Sequence, residues 1–245
     1  MSYRQQQRAN EIILLNNEGA RFIQSGDIDS AIEILADALN AVKLFSRTVD
    51  KKHRQQNLEL SDWLTQCMEA TKKNNTAQPT SSDEVDSSSS SQPLGYVYRS
   101  PIALPTNDLT ATFVNVQCVT IMFNLALAFH LRGIQKNENT VEEQEWALQN
   151  AVSMYELCYE MMGTELINPG LFFMMTITNN LGHAHATLHI YDKAQKCFEH
   201  LLSMQMYLMD SIDNKDEVMA DEQPFEGFMQ NTSLLILSDC CASAA

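Results

Sequence analysis

NNEGARFIQSGDIDSAIEILADAL (residues 16–39) and NNLGHAHATLHIYDKAQKCFEHLL (residues 179–202) decide the fold. Gly19, Phe22, Gly26, Ala31, Leu35 and Ala38 are matched, offset for offset, by Gly182, His185, His189, Ala194, Phe198 and Leu201. Each stretch carries two apolar stripes of helical period separated by a breaker, which is the pattern of paired helices repeated along a chain. In the first, Ile12, Leu15, Phe22 and Ile23 share a face, Ser25-Gly26-Asp27 interrupts it, and Ile28, Ile32, Leu35, Leu39 and Val42 resume it. Asp27 is expected to cap the second helix.

A third, split copy lies between these two. Ala126 and Phe129 reproduce the first landmarks, but the next small residue falls at Ala151, with Tyr155 and Cys158 behind it. That spacing is 25 residues instead of 12, so 13 extra residues are expected in this hairpin as a loop insertion, and a polar loop, IQKNENTVEE, follows Gly133.

The rest of the chain is organised around these hairpins. Residues 1–72 hold the first hairpin and either a long second helix or an additional one, continued by Leu60, Trp63, Leu64, Cys67 and Met68. Residues 73–93 form a disordered Ser/acid-rich linker, too poor in apolar side chains to offset the entropy of ordering. Its Ser81 and Ser82, followed by Asp83-Glu84, suit an acid-directed kinase, against the simpler reading of a passive spacer. Residues 94–106, which begin LGYVYRSPIALP, are aromatic, β-prone and bounded by prolines, and should lie extended against the helices. Occupation of the groove in cis by this segment is weighed there against simple packing on the nearest helix. Residues 107–210 contain the second and third hairpins, and residues 211–245 a loop and a helix, carrying Phe225 and Phe228, that caps the open end. All of this forms one structural domain.

Composition narrows the function. With 31 acidic against 16 basic residues the net charge is −15, which disfavours nucleic acid and anionic membranes as partners. The sequence starts without a secretory signal and carries no run approaching the ~20 apolar residues of a membrane span, so the expectation is a soluble cytoplasmic or nuclear protein. Six scattered cysteines include no Cys-x-x-Cys pair, and most should be buried small hydrophobes; Met161, Met162, Met174 and Met175 should fill the core. His185 and His189 have the i, i+4 spacing of a metal pair but no third ligand nearby, and packing roles suit them better. No phosphate loop, nucleophile elbow or zinc motif is present, so neither an enzyme nor a cofactor is expected.

The quoted stretches, with NLALAFHLRG (124–133) and NAVSMYELCYEM (150–161), resemble the tetratricopeptide repeat. The resemblance implies an all-α, right-handed α-α superhelix of about three hairpins closed by a C-terminal helix. The family's usual Trp and closing Pro are missing, and His185 and His189 stand where an aromatic and a glycine are usual. In this family the first helix of each pair lines a groove, which places Asn17, Asn124 and Asn180 at one spot in the three units. An amide donates and accepts at once, so such a row suits the backbone of an extended peptide, or else ties adjacent helices together. Phe123, Leu127, Thr176 and His183 are the neighbouring groove positions, and hardly a charge lies among them. The expected function is therefore a non-enzymatic adaptor for a neutral or apolar protein segment, with a homo-oligomeric scaffold assembled through the terminal helix as the alternative.

Overall fold

The turns set the architecture, and in the first hairpin Ser25-Gly26-Asp27 does so with three bonds. Gly26 takes φ 83°, its N–H donates to the Ile23 carbonyl and the Asp27 N–H donates to the Phe22 carbonyl, a Schellman closure. The Asp27 carboxylate then accepts from the Ser30 N–H at 3.3 Å and opens the second helix, as its N-cap position predicts. The third hairpin repeats this closure without glycine: His189 sits at φ 60°, Ile190 N–H donates to His185 O and His189 N–H to Ala186 O. The His189 imidazole meets the Tyr191 hydroxyl at 2.7 Å, while His185 faces Glu156, so these two histidines have structural partners on different elements.

The structure, a computed structural model, describes residues 3–46, 95–105, 113–135, 140–162, 170–211 and 224–233. Among them are seven helices and no strand: α1 (Tyr3–Ser25), α2 (Ile28–Ser46), α3 (Phe113–Ile134), α4 (Val141–Met162), α5 (Leu171–Thr187), α6 (Tyr191–Ser211) and α7 (224–233). Each of α1 to α6 packs on the next in order, with lesser contacts of α1 and α5 on α3. The expected additional helix before residue 72, the Ser-rich linker with Ser81 and Ser82, and Cys240 and Cys241 lie outside the described residues.

Small residues let the paired helices approach. A methyl group on Gly19 would come within 2.5 Å of Leu35 Cγ, and one on Gly182 within 2.7 Å of Phe198 Cε1. The middle hairpin corrects the sequence expectation. Its close approach is Gly133 against Leu148, seven residues and hence two helical turns beyond Ala126. The 13 extra residues are mostly helix instead of loop: two lengthen α3, four widen the turn and seven extend the start of α4 before Ala151. A capping box marks that start, with the Glu143 N–H donating to Thr140 Oγ1 and the Thr140 N–H to Glu143 Oε2.

Two apolar clusters result. The larger runs through α1 to α5, with Ala31, Leu35, Ala126, Ala151, Tyr155 and Cys158 all without exposure, and the smaller joins α5, α6 and α7 through Met175, Phe198, Leu201 and Phe228. Met161, Met162 and Met175 fill the core, Met174 packs against it, and burial pushes the Cys197 thiol up to about 11, away from thiolate chemistry. One further correction concerns α3. Val116–Ile134 is long and apolar enough to cross a membrane by composition, but 89% of that window is buried inside the protein, so its apolarity is that of a central core helix.

Gly182→Ala should lower thermal stability by about 1–3 kcal/mol, read as a fall in the melting midpoint, because Phe198 is held by neighbours on both sides.

Candidate functional site

Residues 95–105 form no regular element; they run extended across α7, α5, α3 and α1, the reverse of chain order. We refer to this segment as the strap. Extended backbone has no internal hydrogen bonds, and burying its amides unpaired would cost about 1–3 kcal/mol each. Asparagine side chains supply the partners. Asn231, Asn180, Asn124 and Asn17 each accept one N–H and donate to the carbonyl of the same residue, namely Tyr96, Tyr98, Ile102 and Leu104. These eight bonds fall between 2.7 and 3.0 Å. The orientation of each amide follows from its partners, since an N–H requires the oxygen and a C=O the nitrogen.

With Asn179 and Asn16, the four amides form two equivalent triads. In the first, Asn231 donates to Asn179 Oδ1, and Asn179 donates both to Asn180 Oδ1 and to the Tyr96 carbonyl. In the second, Asn124 donates to Asn16 Oδ1, and Asn16 donates both to Asn17 Oδ1 and to the Ile102 carbonyl. Each triad thus grips two strap residues spaced i, i+2, whose main-chain groups point the same way in extended chain. Asn180 makes a fourth bond, donating to the Tyr155 hydroxyl on α4 at 3.2 Å; burial keeps the phenol neutral and outweighs the opposite pull of that donated bond. Arg99, Ser100 and Pro101 cross between the triads, and Pro101 stands where no amide proton is needed.

Of the expected groove residues, the structure brings Asn17, Asn124 and Asn180 onto the strap. Phe123 and Leu127 have no exposure with the strap in place and belong to the larger apolar cluster, where Phe123 lies 5.2 Å from Phe173 and 6.1 Å from Tyr155. Thr176 donates its hydroxyl to the Phe172 carbonyl within α5. His183 is buried and meets His130 at 3.0 Å, Nδ1 against Nε2. Sequence reasoning missed Asn231 and the bracing roles of Asn16 and Asn179. The signal for Asn231 was present: Asn17, Asn124, Asn180 and Asn231 are each followed two positions later by a small residue, Gly19, Ala126, Gly182 and Ser233.

The histidine pair is held neutral. Desolvation, then the neighbouring His183 and Arg99, puts His130 well below the ordinary value, and desolvation with Arg99 lowers His183 to about 4. His130 Nδ1 and His183 Nε2 lack hydrogen-bond partners, so an added proton would be buried without an acceptor. Among the described residues, no three His, Cys, Asp or Glu side chains are grouped to hold a metal ion.

Asn180→Ala should strip both main-chain bonds from Tyr98 and one from Tyr155, costing about 2–4 kcal/mol and speeding hydrogen exchange at the Tyr98 amide before that of Leu104. Because the histidine values are depressed on folding, their neutral forms support the fold fully above pH 6.5, and that support falls away as pH drops toward 4. The loss, on the order of 3 kcal/mol for His183, should appear as a falling urea midpoint across that window and shrink in His130→Gln.

No protein-family model, curated protein or solved structure matches the chain.

Proposed function

We propose that this chain is a non-enzymatic adaptor of the tetratricopeptide type, its hairpins stacked into a superhelix whose groove binds an extended, neutral or apolar protein segment. The carrying observation is the pair of asparagine triads. Their bonds to the strap go to main-chain groups alone, which any extended segment can offer, so the machinery is not restricted by its chemistry to the strap it holds. The groove side chains named above are uncharged, which disfavours acidic tails that would need Arg or Lys to neutralise carboxylates.

The strap changes how such an adaptor works. A client competes with an occupant of the same molecule, joined to α3 by only seven residues, 106–112, and so present at an effective concentration of roughly millimolar or more. The apparent affinity falls by the fraction of molecules with an open groove. The groove is then a guarded one, filled until a client or another event lifts the strap. The alternative of self-assembly through the terminal helix has less to draw on, because Phe228, Asn231 and Thr232 of α7 are consumed inside the chain.

A synthetic peptide of residues 95–104 tests this reading. It should bind the full chain with a weakened strap, Tyr96→Ala/Tyr98→Ala/Leu104→Ala, at least about tenfold tighter than the intact chain, by fluorescence anisotropy. Methylating the peptide nitrogens of its second tyrosine and its isoleucine should reduce binding by roughly tenfold each, since each loses a clamped N–H. Absence of peptide binding to a strap-weakened chain that keeps its helical circular dichroism would overturn the proposal.

A further inference from the structure

The two triads grip backbone alike, but the ends of the groove differ in what they ask of side chains. At the α7 end, Gly227 has no room for a Cβ: one placed there would run into the Tyr96 ring at Cγ, Cδ1 and Cδ2. The ring therefore rests directly on helix backbone. Phe228 meets it edge to face, with centroids 5.9 Å apart. Tyr98, two residues on, lies 5.9 Å from Phe172 and 6.3 Å from Phe228, so Phe172, Gly227 and Phe228 frame adjoining seats for two rings at i and i+2. Phe172 is 45% exposed and leaves the slot open at its rim.

Ahead of these rings the groove asks for glycine on two counts. Gly95 takes φ 116°, where a side chain is strained. A Cβ on it would also collide with Asn231 Oδ1, the atom that accepts the Tyr96 N–H. The first clamp can close only if the preceding residue has no side chain. At the far end, Ile102 is half-buried and Leu104 buried beneath the Asn124 and Asn17 clamps, where aliphatic groups suffice.

We propose that the groove selects its partner by a glycine followed by two aromatic residues at alternate positions, Gly-aromatic-x-aromatic, which enters over α7 while an aliphatic tail lies along α3 and α1. Gly227 and Phe228 are the specificity-determining residues, and the partner is an extended segment of another protein that bears this pattern and lacks acidic side chains. The inference rests on the adaptor reading and names its ligand; the strap is an internal copy of that ligand.

The same strap-weakened full chain provides the test, with three probes: the 95–104 peptide, the same peptide with alanine for its glycine, and one with alanine for both tyrosines. The glycine replacement should weaken binding roughly tenfold or more, and the double replacement roughly a hundredfold, from loss of two seated rings. In the intact chain, Gly227→Ala should accelerate hydrogen exchange at the Tyr96 and Tyr98 amides by roughly tenfold while Ile102 and Leu104 keep their protection. This second measurement holds even if the strap-weakened chain folds poorly. Three peptides of equal affinity would overturn the selectivity and leave the adaptor reading standing, whereas no binding by any of them to a folded chain would remove both. Uniform exchange along the strap in Gly227→Ala would also overturn the selectivity. A concentration-dependent dimer of the intact chain in light scattering, dissociated by excess 95–104 peptide, would assign the groove to a second copy and overturn the partner named here.

Discussion

Extended polypeptide cannot be buried unless something answers its amides, and that obligation organises this molecule. A β-sheet would answer with another strand. Here no strand exists among the described residues, and the answer is a row of asparagines, each presenting one acceptor and one donor at the spacing of a main-chain partner. To place them in line, α1, α3, α5 and α7 must present the same helical position to one side. The turns, the glycine contacts and the capping residues all serve that registration. Braces between Asn124 and Asn16, and between Asn231 and Asn179, then link helices that are distant in sequence directly, beside the bonds that each makes to the strap. The strap is a cross-tie as much as an occupant, and its removal leaves buried amides on the helices as well as on itself.

Much of the fold was legible because its determinants are local. Gly26 and Asp27 announce a turn by backbone chemistry, and Gly19 and Gly182 announce a close helix pair by lacking a side chain. Three of the four clamps were legible because the repeat resemblance places Asn17, Asn124 and Asn180 at one spot in its three units; Asn231 lies outside those units, although its offset from Ser233 is the same. What stayed hidden was non-local. Nothing near residue 96 names residue 231 as its partner, 135 positions away. The extra residues of the middle hairpin misled because a polar run resembles a loop, whereas much of it, including Glu142, Glu143 and Glu145, lies on exposed faces of a lengthened α4. Phe123 and Leu127 were assigned to the groove from their repeat position, and with the strap in place neither has any exposure, since α3 is surrounded on nearly every side.

His189 shows a local preference overridden. A left-handed residue closing a helix is usually glycine, and a branched or bulky substitute there carries a strain cost. The imidazole offsets part of that cost through its contact with Tyr191. The substitution is tolerable because the two Schellman bonds define the turn, and they involve only main-chain atoms.

On the adaptor reading we propose, a groove that holds its own ligand imposes a threshold, and the threshold follows from the same bonds that create the site. Main-chain clamps give affinity without identity, so a protein relying on them alone would accept any uncharged extended segment it met. In the proposed adaptor an internal competitor would remove that promiscuity: weak, generic segments would fail to displace it, and only one that fills the ring seats over Gly227 and Phe228 at least as well would do so. The cost is slower capture, limited by how often the strap lifts. On that reading clamps, strap and aromatic seats are one device, in which the first would supply binding energy, the second subtract a fixed amount of it, and the third decide which segment exceeds the remainder.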